Sequence, residues 1–182
     1  MNTSDSNVLT RYQAYRTRRF IENDAKTRHW LPKWRTQRRR RALALGLVTL
    51  FAISIVAAVA AQWSEAAVIT WVATLLLFIP LWTMVQIVSN RGADAPADVL
   101  DEWEIKRRNE ARSVGLTITQ ALGIAAAFYL LFGSNIFDGS DFAFSGGALV
   151  FTFVMLGGCS PAMTLAWTTP DPDADDLTEI AS

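Results

Sequence analysis

The fold follows from one stretch of the chain, residues 38–61, which reads RRRRALALGLVTLFAISIVAAVAA. Four arginines come first, and the twenty residues after them, 42–61, contain no charged side chain. A helix of that length spans about 30 Å, which is the thickness of the hydrocarbon core of a bilayer. Ten of the twenty residues are Leu, Ile, Val or Phe, and each favours insertion by about 0.3–0.6 kcal/mol near the centre. We therefore predict a membrane-spanning helix whose arginine block stays in the cytoplasm.

Three later stretches have the same composition and complete the predicted fold. Residues 66–89, 114–133 and 142–167 contain no charged side chain. Only residues 62–65 separate the first two spans, which forces those helices into an antiparallel hairpin. The sequence therefore predicts an all-α membrane protein of four transmembrane helices. We expect them to form two antiparallel hairpins, with short amphipathic helices on the cytoplasmic side.

Charge is sorted along the chain, although the formal net charge is zero. Residues 1–41 contain twelve Lys or Arg against three acids, and residues 90–113 contain five against six. Residues 168–182 contain five acids, no base and two prolines, which predicts a disordered acidic tail. All the basic residues thus lie either before the membrane region 42–167 or between its two hairpins. The positive-inside rule then places both termini in the cytoplasm.

The basic N-terminal segment, residues 1–41, also contains aromatic side chains. Val8, Tyr12 and Tyr15 follow helical spacing, so we expect one or two short amphipathic helices here. The candidate contact residues are Tyr12, Tyr15, Trp30 and Trp34, with the arginines Arg38, Arg39, Arg40 and Arg41. Such residues can bind anionic lipid headgroups or a partner protein. Two alternatives are an ordinary positive flank of a membrane helix and, less favoured, a nucleic-acid contact.

A cytoplasmic helix is predicted at about residues 95–113, before the third span. Asp94 or Ala95 can cap its start, and acids precede bases along it, as the helix dipole favours. No Pro or Gly interrupts the run from residue 99 into the third span until residue 115, so we expect one helix to continue into the membrane. Trp103 lies on its less polar face and is a candidate contact residue.

Residues 101–111 of this helix read DEWEIKRRNEA. This stretch resembles one in small multi-span membrane proteins, many of them actinobacterial, in which an Asp-Glu-x-x-x-x-Arg helix precedes a membrane span. Trp103 stands where those proteins often have Arg. The resemblance implies a small protein of the bacterial plasma membrane that acts by contact. It brings no activity, cofactor or catalytic residue.

Five residues inside the predicted spans have candidate roles in kinking or packing. Pro80 removes a backbone hydrogen bond from the second span and predicts a kink. Gln120 in the third span can form an interhelical hydrogen bond or line a polar path. Gly157, Gly158 and Pro161 predict a flexible or kinked point in the fourth span.

Several function classes are disfavoured by what the sequence lacks. No Asp, Glu, Lys, Arg or His lies within the four predicted spans, whereas proton relays and ion-coupled transport use such groups at that depth. One His and one Cys provide no His-rich metal site and no internal disulfide. The cytoplasmic parts contain no phosphate loop, catalytic triad or zinc motif. We therefore predict that the protein is not an enzyme and needs no cofactor or metal.

Two functions of different class remain open. The first is an accessory subunit, assembly factor or regulator of a larger bacterial membrane complex, with a respiratory complex as one candidate. The second is a small transporter or lipid-handling protein for an apolar or zwitterionic molecule. The expected partners are anionic lipid headgroups, and either other membrane-protein subunits or further copies of the chain.

Overall fold

The computed structural model describes residues 36–89, 101–137 and 139–171, together with ten residues between 11 and 34. From residue 36 onwards, the described part of the chain forms four long α-helices and contains no strand. These are α1 (Gln37–Ala60), α2 (Glu65–Val88), α3 (Glu102–Gly133) and α4 (Ser140–Thr168). Each is long and apolar enough to cross a membrane. The prediction of an all-α chain with four candidate membrane spans is confirmed.

The arginine block lies inside α1 rather than in front of it. The backbone N–H groups of Arg39 and Arg40 both donate to the carbonyl oxygen of Thr36, each at 3.0 Å. The helix therefore begins at Gln37 and not at residue 42. Arginine has a high helix propensity, so the block extends the helix towards its N-terminus.

Helix α3 begins at Glu102, so the predicted start near residue 95 is wrong for this helix. Asp101 has an extended backbone and is the N-cap, and its carboxylate accepts a hydrogen bond from the N–H of Glu104 at 2.7 Å. The carboxylate of Glu104 accepts one from the N–H of Asp101 at 3.3 Å. This capping box satisfies two N–H groups that the helix itself cannot. The predicted caps Asp94 and Ala95 lie outside the described residues.

Two helices are central and two are peripheral. Helix α1 packs against α2 and α4, and α4 also packs against α3 and, less extensively, α2. Among the eighteen residues of each helix that are most apolar together, 39% are buried in α1 and 44% in α4. The corresponding share is 11% in α2 and in α3. The outward faces of α2 and α3 are therefore largely uncovered by the described part of the chain.

Most of the buried apolar side chains belong to two clusters that α1 and α4 share. One includes Leu47 of α1, Val85 of α2 and Cys159 of α4. The other joins Ala58 of α1, Ala126 of α3 and Phe153 of α4. Cys159 is a free thiol that packs as an apolar side chain in the first cluster.

Helices α3 and α4 approach each other closely at two glycines. A Cβ atom added at Gly157 would overlap Oγ1 of Thr119 and lie 2.9 Å from its Cα. One added at Gly115 would lie 2.6 Å from Cγ of Pro161. Gly157 and Pro161 thus take part in helix packing, whereas Gly158 is exposed and a Cβ there would meet nothing within 4 Å.

The proline and the amide predicted inside the spans both lie on exposed helix faces. Pro80 is within α2 and is exposed; its kink stays a prediction. Gln120 is exposed on α3. The predicted interhelical hydrogen bond is not made among the residues that the structure describes.

Candidate functional site at the arginine-rich end

Arg40 ties the start of α1 to the end of α4. Its side chain is only 6% exposed, and its Nη2 donates to the carbonyl oxygens of Thr169 at 2.8 Å and Pro170 at 2.6 Å. The last carbonyl groups of a helix lack intrahelical partners and carry the negative end of its dipole. A cation placed there is favoured, so Arg40 of α1 caps α4 through the C-cap residue Thr169, and it also bonds to Pro170, which follows the helix.

Residues at the end of α4 and just beyond it also contact α1 through their own side chains and carbonyl groups. The Asp171 carboxylate lies 3.7 Å from Nη2 of Arg40 and accepts a hydrogen bond from the backbone N–H of Gln37. A carboxylate at the first turn of α1 is favoured by the helix dipole. Arg41 donates from Nε to the carbonyl oxygen of Trp167 at 3.2 Å and lies 5.2 Å from the centre of its ring.

These contacts correct the prediction for the acidic tail. Thr168 is the last residue of α4, and Thr169, Pro170 and Asp171 make specific contacts with α1. The predicted disorder is therefore wrong for residues 168–171. Residues 172–182, with the other four acids of the tail, lie outside the described residues.

Helix α3 reaches the same end through Arg107. Its Nη2 donates to Oγ1 of Thr168 at 2.9 Å and to Oγ1 of Thr169 at 3.0 Å. Its guanidinium carbon lies 5.1 Å from the centre of the Trp103 ring, one turn earlier in α3. We call the group Arg40, Arg41, Arg107, Thr168 and Thr169 the arginine-rich end. It fastens three helices to one another.

A cleft of about 460 Å³ lies beside this end, between α3 and α4. The α3 wall consists of Trp103, Lys106, Arg107, Glu110, Ala111 and Val114, and the α4 wall of Thr164, Leu165 and Thr168. Charged groups occupy the part nearest the start of α3, and apolar groups occupy the part farther along the helix. We call it the interface cleft. It combines cations, an indole ring and an apolar wall, which suits an amphipathic anion.

A second cleft, of about 270 Å³, lies midway along α1, α2 and α4. Three hydroxyl residues line it, Ser54, Thr74 and Thr152, among mainly apolar side chains. Oγ1 of Thr152 lies 3.3 Å from Oγ of Ser54, accepts from Nε1 of Trp71 at 3.0 Å and donates to the carbonyl oxygen of Ala148 at 2.8 Å. Because the hydroxyl of Thr152 is already engaged, the cleft offers a molecule mainly shape and apolar surface.

A polar network closes the opposite end of the bundle. Ser145 of α4 donates to the carbonyl oxygen of Ala58 at 2.7 Å, so the Tyr129 hydroxyl, 2.8 Å away, donates to Ser145. Tyr129 in turn accepts from Nε2 of Gln62 at 3.2 Å. This series of hydrogen bonds links α1, α3 and α4 without any charged group.

The structure brings together some of the predicted contact residues and leaves others apart. Arg40 and Arg41 meet the end of α4, as described above. The other described ones are exposed: Tyr12, Tyr15, Trp34, Arg38, Arg39 and Trp103. Arg39 lies 5.5 Å from the ring centre of Trp34. Trp30 lies outside the described residues.

Sequence reasoning missed Arg107, Thr168 and Thr169. One signal was available, because Trp103 and Arg107 are four residues apart and therefore share a helix face. Nothing in the sequence shows that this face meets the end of α4, since that contact joins residues more than sixty positions apart.

In the described part of the chain, no group of three or more His, Cys, Asp or Glu side chains is placed to hold a metal ion. In comparisons with known proteins, no family model, no curated protein and no solved structure matches the chain.

Proposed function

We propose that the protein is a multi-pass protein of the bacterial plasma membrane that acts by contact and not by catalysis. Its four helices form two antiparallel hairpins, and both termini are cytoplasmic. It serves as an accessory subunit, assembly factor or regulator of a larger membrane complex, with a respiratory complex as one candidate. The resemblance of residues 101–111 to small multi-span proteins supports the same role.

The arginine-rich end supports the orientation. It gathers the start of α1, the start of α3 and the end of α4 at one end of the bundle. The connections at the other end, residues 61–64 and 134–139, contain no Lys or Arg. Such asymmetry supports a cytoplasmic position for the arginine-rich end.

The exposure of Gln120 carries the proposal of a contact role. This amide lies on the outward face of α3, within a stretch that is otherwise mainly apolar. In hydrocarbon its donors and acceptor have no water to bond, which is costly. A helix of another subunit can supply the missing partner, and such interhelical bonds contribute about 0.6 kcal/mol on average.

The test is association of the full chain purified in mild detergent. We expect the wild-type protein to co-purify with other membrane proteins in fixed stoichiometry, and Gln120→Leu to weaken that association about threefold, the equivalent of one such bond. Thr83→Leu is the matched control, since Thr83 is exposed on α2 and its hydroxyl is bonded to the carbonyl oxygen of Ile79 in its own helix. Association that is unchanged in Gln120→Leu contradicts the proposal.

The mid-helix cleft favours a second candidate, a lipid-handling or transport function for an apolar or zwitterionic molecule. Its apolar lining and position halfway along the helices fit an acyl chain. Under this alternative the purified protein carries a bound lipid and no other chain. Leu75→Trp, which fills the cleft from α2, then removes that lipid, whereas the exposed replacement Leu76→Trp retains it.

A further inference from the structure

We propose that the interface cleft binds the headgroup of an anionic phospholipid, with the lipid phosphate between Lys106 and Arg107. The inference rests on the proposed function for one point, that the arginine-rich end faces the cytoplasmic leaflet. It adds a defined site and a lipid class to that function.

The cleft extends along α3 from a polar turn to an apolar one. Lys106 and Val114 both line it and are eight residues apart, or about 12 Å along a helix. That distance covers the step from the headgroup layer to the upper acyl region. Leu165 adds apolar surface from α4. A lipid can therefore place its phosphate near Lys106 and the start of its chains against Val114.

The charge of the cleft matches a phosphodiester. Lys106 and Arg107 are positive and Glu110 is negative, so the three charged groups of the lining sum to one positive charge, which a phosphodiester balances. Arg107 is half-buried, and its polar contacts within the described chain are the hydroxyls of Thr168 and Thr169. Glu104, one turn earlier, attracts Arg107 and offsets part of its positive charge, whereas Arg40 lies near enough to repel it. The lining therefore keeps an excess of positive charge, and a bound anion is favoured.

Two features favour a lipid over a soluble phosphate. The apolar half of the cleft gives a free anion nothing to bind, whereas it covers part of an acyl chain. Trp103 at the mouth is 61% exposed, and tryptophan prefers the headgroup level of a bilayer. Basic residues near a membrane surface also attract anionic lipid specifically.

The experiment measures lipid binding by the full chain with native mass spectrometry in detergent. The probes are phosphatidylglycerol and phosphatidylcholine with identical dioleoyl chains, and soluble glycerol phosphate. We expect one phosphatidylglycerol to bind at least fivefold more tightly than phosphatidylcholine, and glycerol phosphate not to bind. Lys106→Gln should weaken phosphatidylglycerol binding about fivefold, the effect of one basic residue. Lys106 is exposed, so this variant should keep its fold.

Two further variants localise the site. Arg112→Gln removes one exposed positive charge of the same helix outside the cleft and should retain binding. Val114→Trp keeps all charges but obstructs the apolar half, and should also weaken binding. Equal affinity for the two lipids, equal loss in Lys106→Gln and Arg112→Gln, or unchanged binding by both cleft variants would overturn the proposed site.

The same preparations separate this inference from the proposed function. If partner proteins co-purify but the lipid preference is absent, the lipid site is wrong and the contact role stands. If the lipid preference is present but no partner co-purifies, the contact role is wrong and the site stands.

Discussion

Helix α4 is held in two different ways along its length. At its middle, Gly157 lets α3 approach so closely that the contact depends on shape. At its end, Arg40 and Arg107 bond to carbonyl and hydroxyl oxygens, so the contact depends on polar groups. Lipid is as apolar as a leucine side chain, so helices within it gain from close packing more than from burial. Near the headgroups, water competes for polar groups and weakens each bond.

Gly157→Val should have the largest effect on stability. The new side chain would overlap Thr119, whose Cα belongs to the backbone and cannot move aside without shifting α3. Overpacking of this kind costs about 1–3 kcal/mol, and we expect the upper part of that range. The measurement is the free energy of unfolding in mixed detergent micelles.

Two variants make the Gly157 result specific. Gly158→Val introduces the same side chain where a Cβ would meet nothing within 4 Å, and should change stability by less than about 0.5 kcal/mol. Thr119→Ala combined with Gly157→Val should recover part of the loss, because only the Oγ1 contact is relieved. Equal losses in Gly157→Val and Gly158→Val would refute a shape-dependent contact.

Arg40→Met should have the next largest effect, because it removes the polar contact at the end of α4 and keeps most of the side-chain length. Two hydrogen bonds from a charged donor are lost, and bonds of that kind contribute about 1.5–3 kcal/mol each before water competes for the freed carbonyls. We expect a net loss of about 1–2 kcal/mol, measured as above. Arg38→Met, at an exposed position, is the control.

The salt bridge is the smaller part of that contact. Asp171 is more than half exposed, so Asp171→Asn should cost less than about 1 kcal/mol, and the cost should shrink in high salt. The loss in Arg40→Met should persist in high salt, since carbonyl acceptors carry no net charge. If the two variants respond to salt equally, the ion pair and not the carbonyl cap holds this end.

Thr152→Val tests a polar contact inside the apolar region. Valine matches the shape of threonine but breaks the bond from Trp71 and the contact with Ser54. Interhelical bonds in membranes contribute about 0.6 kcal/mol on average and at most about 1.7, so we expect a loss of about 0.6–1.7 kcal/mol. Thr70→Val is the control, since the Thr70 hydroxyl is bonded within its own helix. A loss as large as that of Gly157→Val would mean that polar bonds, and not shape, dominate at the middle of α4.

The two regions of α4 also differ in how far the sequence predicts them. Membrane spans can be predicted from the sequence because the composition of twenty consecutive residues is a local property. The spacing of Asp101 and Glu104 is also a local signal for the start of α3, but Asp94 offers a competing cap earlier in the chain. The contact of Gly157 with Thr119 depends on the relative rotation of two helices, which composition does not specify.

The candidate site was predictable only in its charge. The sorting of charge along the chain predicts that the arginines lie at the cytoplasmic face, but it does not distinguish one arginine from another. The structure distinguishes Arg40, which is buried against the end of α4, from Arg38, which is exposed. That difference arises because residues on a helix two positions apart face different directions. Which face of α1 meets α4 is decided by packing between residues that are 129 positions apart in the sequence.

Trp103→Ala should have the smallest effect on stability, and it separates fastening from recognition at the arginine-rich end. The ring is 61% exposed, and its contact with Arg107 is a cation–π interaction, which contributes about 0.5–1 kcal/mol at exposed sites. Arg107 keeps its bonds to Thr168 and Thr169 in the variant, so we expect a loss at the lower end of that range, about 0.5 kcal/mol, in mixed micelles. Association with lipid or with co-purifying chains should fall by a larger factor, because the indole lies at the mouth of the interface cleft.

Trp167→Ala is the matched control, an exposed tryptophan that also contacts an arginine, Arg41, but does not line the cleft. If Trp103→Ala loses stability but retains its associations, this indole belongs to the fastening of the three helices and not to a recognition surface.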